Sequence, residues 1–139
     1  MGIVHAEIEL INWADKMFAH RHIIGEEEVR SMRLTMLVDS GSYMMAINEN
    51  IRECLGLPLI EANRPIELAN GEWVKFDVVG PIDVRFANRK ANCSAFVLPG
   101  DSEPLLGAIP MEEMDVLIDM KRQELVVNPA HPDCAVYRM

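Results

Sequence analysis

Short runs rich in Val, Ile, Leu and Met, each stopped by Gly, Pro or Asn, give this chain the punctuation of a mostly β protein. The first run, Ile3 to Ile11, reads as a strand. Asn12 to Gly25 places Trp13, Met17 and Phe18 on what would be one side of a short helix. Histidines and basic residues crowd them, so the segment is either a helix or a long loop. From Val29 to Val38, Met32, Leu34, Met36 and Val38 alternate with Ser31, Arg33, Thr35 and Leu37. That period of two predicts a strand, and its lapse at Leu37-Val38 fits a strand running from an exposed edge into a covered core. Met44 to Ile47 can form another strand, and Asn48 is placed to cap a helix over Glu49 to Leu55, with Gly56 and Pro58 as its stop.

The next segment predicts a hairpin. Ile66 to Ala69 and Glu72 to Phe76 flank Asn70-Gly71, the pair that best tolerates the positive φ angles of a type I′ turn. That register sets Leu68 opposite Trp73 and Ile66 opposite Lys75. Gly80-Pro81 should break the ladder, and Ile82 to Phe86 with Ala91 to Leu98 should make a second hairpin around Asn88-Arg89-Lys90. After a polar loop from Pro99 to Pro104, Leu105-Leu106-Gly107 reads as a short buried strand and Pro110 to Met114 as a brief helix with Pro at its start. Val116 to Met120 and Glu124 to Val127 form a last hairpin, and the tail from Asn128 has no periodicity. An apolar strand, a Gly turn and a short helix thus occur at Met36 to Leu55 and again at Pro104 to Met114.

Composition narrows the classes. The 139 residues, half of them apolar, suit one domain with its own core. A formal net charge of −9, with Lys and Arg scattered, argues against a nucleic-acid partner. No apolar run reaches the roughly 18 residues of a spanning helix, and the amino terminus meets acidic residues at once, unlike a secretion signal. Neither a membrane partner nor export is expected. The three cysteines, Cys54, Cys93 and Cys134, are odd in number and widely spaced, which fits reduced thiols in a cytoplasmic protein. Cys54 and Cys93 read as small buried apolar residues. His20 and His22 lack a third nearby ligand, so no metal site is assigned.

Leu37-Val38-Asp39-Ser40-Gly41-Ser42 resembles the active-site turn of retropepsin-like aspartic proteases: two apolar residues, Asp, Thr or Ser, Gly, then Ala or Ser. The hairpin tip Ala69-Asn70-Gly71, with Trp73 beside it, resembles the family's flap. Leu105-Leu106-Gly107 resembles its second apolar-apolar-Gly motif, followed by the closing helix and strands. The resemblance spans roughly residues 29 to 127 and narrows to the small bacterial single-domain group. It implies a closed, barrel-like β domain that is one half of the acid-protease fold, with one or two short helices. It also implies a homodimeric endopeptidase acting on peptides or proteins with Asp39 as its catalytic residue. By the same resemblance, Ser40 bonds across the dimer axis. The arginine or asparagine that often follows the second Gly is replaced by Ala108 and Ile109, and the ends at Asn12 to Gly25 and after Asn128 depart from the family.

The chemistry gives these residue types a reason. Peptide hydrolysis by carboxylates needs two that share one proton. Two like charges about 3 Å apart cannot both ionise, and the aspartic-protease dyad is the standard example of that rule. One Asp-Ser-Gly per chain requires a second copy. Gly41 would let the backbone turn without a Cβ, and the Ser42 hydroxyl would lie beside the Asp39 carboxylate. The carboxylate pair activates water by itself, so no cofactor is needed. Asp-Ser-Gly is also an ordinary turn sequence, and Trp73 across from Leu68 reads as packing more readily than as a substrate cover. The alternative function is a dimeric, non-proteolytic peptide-binding module of the same fold. A serine hydrolase is disfavoured, because no Gly-x-Ser-x-Gly elbow is present and no histidine is placed to serve Ser40 or Ser42.

Overall fold

The inward row of the first strand sets the core. In the computed structural model, which describes residues 3–139, β1 runs from Val4 to Asn12. Its residues Val4, Ala6, Ile8, Leu10 and Asn12 are all buried. Each of the larger apolar side chains contributes about 1.5–3 kcal/mol by leaving water. β1 pairs antiparallel with β2 (Ser31–Val38) on one edge and with part of β5 (Trp73–Phe86) on the other. The remaining strands are β3 (Met45–Asn48), β4 (Leu59–Glu67), β6 (Arg89–Leu98) and β7 (Leu105–Leu106). They extend the sheet in the order β1-β2-β7-β3-β6-β5-β4, and the β1–β5 pairing brings six of the strands into a ring. β4 stands outside that ring on β5. Val116–Asp119 (β8) and Glu124–Val127 (β9) form a separate two-stranded sheet.

The chain is mostly β, and it carries three short α-helices where one or two were expected. The extra one settles the segment after Asn12. Trp13–His20 is α1, and the buried Asn12 side chain starts it by accepting from Asp15 N at 3.0 Å while donating to Leu55 O at 2.8 Å. The Asp15 carboxylate then receives Arg30 Nε at 2.8 Å and Nη2 at 3.0 Å, which returns the chain to β2. The Arg30 guanidinium holds the Asp15 carboxyl below the usual carboxylate range, against the upward push of burial. A lone helical turn at Glu26–Glu28, fully exposed, completes the loop.

Glu49–Leu55 (α2) forms where its caps predict: Asn48 Oδ1 accepts from Ile51 N at 2.9 Å, and Gly56 closes the helix. Gly80-Pro81 does not end the ladder. β5 runs on through it with a shift of register between Val79 and Ile82, and β1 takes up from Ile82 the edge that β4 leaves at Val79. A bulge lets one strand change partners in this way, which a break would not. β2 keeps its alternation to the end: Met36 and Val38 are buried while Leu37 is half-buried on the other face. Cys54 is exposed on α2 rather than buried; Cys93 is half-buried, and burial followed by the nearby Glu113 charge pushes its thiol up to about 12. Among the described residues no helix is long and apolar enough to cross a membrane.

The third helix, α3 (Ala108–Met114), starts two residues before the expected Pro110 and ends at Asp115. Asp115 ties down the aperiodic tail. Its carboxylate accepts from Asn128 Nδ2 at 3.0 Å, His131 Nδ1 at 2.6 Å and Val136 N at 3.1 Å. The Asn128 amide, the Val136 N–H and His131 together lower this carboxyl to about 2 from an ordinary 3.8. A folded-state value below the unfolded one stabilises the fold above the unfolded value, and that contribution is lost as pH falls through the folded one. The melting temperature should therefore drop between pH 4 and pH 2 more steeply for this chain than for Asp115→Asn, as read by circular dichroism. Parallel curves for the two would contradict the assignment.

Candidate active site

β2 and β3 flank the Asp39 turn but do not pair with each other. β7 lies between them, parallel to β2 and antiparallel to β3. The turn is consequently gripped from the side by four consecutive residues. Leu106 O accepts from Asp39 N at 2.9 Å, Ala108 N donates to Ser42 O at 2.7 Å, and Ile109 N donates to Tyr43 O at 3.0 Å. Gly107, between them, is buried and caps α3. A Cβ there would sit 2.7 Å from the Ser42 carbonyl oxygen and closer still to that of Met44, so this crossing needs a residue without a side chain. Leu106 is fully buried in the core and anchors the grip.

Within the turn, Ser42 N closes on Asp39 O at 3.1 Å, and Gly41 N donates to Asp39 Oδ1 at 3.0 Å. Gly41 thus orients the carboxylate through its backbone, and a Cβ on it would meet Asp39 Oδ1 at 3.2 Å. Ser42 does not play the expected part. Its hydroxyl donates to Met44 O at 2.9 Å and stiffens the way into β3 instead. Ser40 is exposed at the rim of the turn, and its hydroxyl makes no hydrogen bond among the described residues. Asp39 itself is half-buried.

Asp39, Gly41 and Ser42 open onto a cleft of about 410 Å³. Tyr43, Met44 and Ala46 line it from the segment after the turn, Phe96, Leu98 and Leu105 from β6 and β7, and Ile66, Leu68, Ala69 and Phe76 from β4, the hairpin and β5. The structure therefore brings the Asp39 turn, Leu105 and the hairpin residue Ala69 to one place. Asn70 and Gly71 form the exposed hairpin tip.

The hairpin register differs from the expected one by a residue: Glu67 opposes Trp73, Ile66 opposes Val74, and Pro65 opposes Lys75. The turn is longer than a two-residue type I′ turn. Gly71 N donates to Leu68 O at 2.9 Å and Leu68 N to Glu72 O at 2.8 Å, with Gly71 alone at positive φ (85°). A three-residue loop ending in a left-handed Gly is the next most favoured hairpin connection, and it shifts the partner by one. Trp73 accordingly loses Leu68 as its partner. It is 67% exposed, which removes the packing reading, and it does not line the cleft of the single chain.

The cleft residues that sequence reasoning missed include Tyr43, Met44, Phe76, Phe96 and Leu98. Ala95 and Val97 are buried in the core while Phe96 and Leu98 are half-buried and face the cleft. A run apolar on both faces is the signal that could have found them. Tyr43, 73% exposed directly after the turn, is a second one. Comparison of the sequence with protein-family models and with curated proteins returns no match.

Substitutions should separate these roles. Gly107→Ala forces apart backbone that nothing can yield, and should cost about 2–3 kcal/mol in chemical denaturation. Gly71→Ala meets only open space and carries just the left-handed backbone penalty of roughly 1 kcal/mol. Trp73→Ala should stay within about 0.5 kcal/mol of the parent. A mild Gly107→Ala or a severe Trp73→Ala would contradict this description of the site.

Proposed function

We propose that the chain is one half of a homodimeric, retropepsin-like aspartic endopeptidase that hydrolyses peptide bonds with the paired Asp39 carboxylates. The observation that carries the reading is the placement of Asp39: a carboxylate on a backbone-locked turn at the mouth of an apolar cleft, faced by a Gly-tipped hairpin. The closed strand circuit and the insertion of β7 beside the turn support the acid-protease half-fold that the Asp39, flap and Leu-Leu-Gly motifs imply.

Among the cleft residues the only other carboxylate is Glu67, which belongs to the hairpin and not to the turn. A dyad at the turn therefore needs a second copy, related by a two-fold axis, that sets Asp39 against its own equivalent. In the dyad, the ionised carboxyl takes a proton from water as the water oxygen attacks the peptide carbonyl. The neutral carboxyl gives its proton to the carbonyl oxygen. Collapse of the tetrahedral adduct breaks the C–N bond: the amine leaves with the proton of the newly neutral carboxyl, and a hydroxyl of the adduct returns its proton to the other carboxylate, which restores the dyad. Gly41 N–H occupies Oδ1, which fixes the carboxylate plane and leaves Oδ2 for the water or the partner's proton. The apolar walls take a substrate side chain and exclude bulk water. The scattered positive charge and the unpaired cysteines favour a cytoplasmic enzyme acting on peptides rather than on nucleic acid.

Light scattering at micromolar concentration should give about twice the 15.7 kDa chain mass. Cleavage of a peptide library should follow a bell in pH, since one carboxyl must be charged while the other is neutral, and both limbs belong to the pair. Asp39→Asn should lower cleavage at least about 100-fold without changing the mass. A dimer that binds peptides but cuts none of them would leave the peptide-binding module in place of the enzyme. A monomer that neither cuts peptides nor binds a statine-type transition-state mimic would overturn both.

A further inference from the structure

Arg89 begins β6, and its side chain belongs to the inward row with Ala91, Ala95 and Val97. It is 2% exposed, the most deeply buried charged side chain among the described residues. Its Nη2 donates to the His131 carbonyl, but Nε and Nη1 have no partner. They are the only such buried side-chain atoms among the described residues, where no acidic side chain pairs with Arg89. The other arginines show what this chain ordinarily does: Arg30 is forked onto Asp15 and Arg85 onto Asp83. A guanidinium does not escape burial by losing its proton. Left uncompensated, such a charge is strongly unfavourable.

The wall over Arg89 is the aperiodic tail. Asn88 Nδ2 donates to Pro132 O at 3.0 Å and Asp133 O at 3.2 Å, and His131 is held by its ring to Asp115 and by its carbonyl to Arg89. Residues 132–134 are exposed, and a groove of about 980 Å³ lies between α3 and the tail, lined on the tail side by Asn128, His131 and Val136. The strap is held to Asn88 and Arg89 by these polar contacts. It is the wall that can lift.

We propose that Arg89 is an anion-binding residue for a carboxylate, closed over by the strap of residues 128–136. A carboxylate offers two coplanar oxygens to the free guanidinium donors with a single negative charge. Glu112, Glu113 and Asp115 on the adjoining groove repel a doubly charged phosphate more strongly than a singly charged carboxylate. The carboxylate can be a small free acid or the carboxy terminus of a peptide, and one set of probes separates them.

The test is thermal melting of the full chain in sodium acetate against sodium chloride at equal ionic strength. Sodium phosphate and a short peptide with a free or an amidated carboxy terminus complete the set. Acetate should raise the melting temperature saturably, by about 4 °C at ten times its Kd. Arg89→Met should give no such response, and in chloride it should melt above the parent, because it removes an uncompensated buried charge. A response to the free-acid peptide at far lower concentration than acetate identifies a peptide terminus as the source, and equal responses identify a free acid. Absence of any acetate or free-acid response, an equal response in Arg89→Met, or a response to phosphate alone overturns the proposal. Should Arg89→Met not fold, the Arg89 Nε–H resonance of the parent decides: it should move on acetate titration, and a fixed resonance overturns the site.

Discussion

A carboxylate on a four-residue turn would ordinarily wander, because a turn lacks the ladder of bonds that holds a strand. Here the peptide groups of Leu106, Ala108 and Ile109 reach across and bond to Asp39, Ser42 and Tyr43 in succession. That grip is the constraint on which the rest depends. It requires β7 to lie between β2 and β3, which fixes the strand order. It also requires a residue without a Cβ at 107 and a fully buried anchor at 106. The precision of a site is set by such support more than by the residues in it.

The same few residues connect the turn to the far end of the molecule. α3 follows the grip directly, and at its end Asp115 gathers Asn128, His131 and Val136 of the tail. The Asp39 turn and the tail over Arg89 are thus joined through one short helix. On the other side, β5 binds the exposed hairpin to the core, since its first half carries β4 and its second half lies between β1 and β6. Of the strands, only β5 pairs with β4.

Features governed by neighbours in the chain were legible in the sequence. The Asn48 cap, the Gly56 stop and the alternation of Met32 to Met36 each depend on a few adjacent residues, and each formed where expected. The hairpin at Asn70-Gly71 was legible as a turn but not in its register. The choice between a two- and a three-residue loop rests on one hydrogen bond that composition does not reveal. Gly80-Pro81 was misread for a different reason: a local breaker is overridden when β1, β6 and β4 all need the same strand. α1 depends on the Asp15–Arg30 pair, fifteen residues apart in sequence. Of the candidate site, the Asp39 turn, Leu105 and the existence of a hairpin at Asn70-Gly71 were legible, whereas the meeting of Phe76 from β5 with Phe96 and Leu98 from β6 is a product of folding.

The central claim is that two copies of this turn meet. A crystal structure of the assembled protein measures it most directly, through the distance between the two Asp39 carboxylates. A catalytic dyad requires oxygens about 3 Å apart across a two-fold axis, close enough to share one proton. Dimers that place the two Asp39 side chains on separate faces, more than about 10 Å apart and beyond the reach of a shared proton, would contradict it.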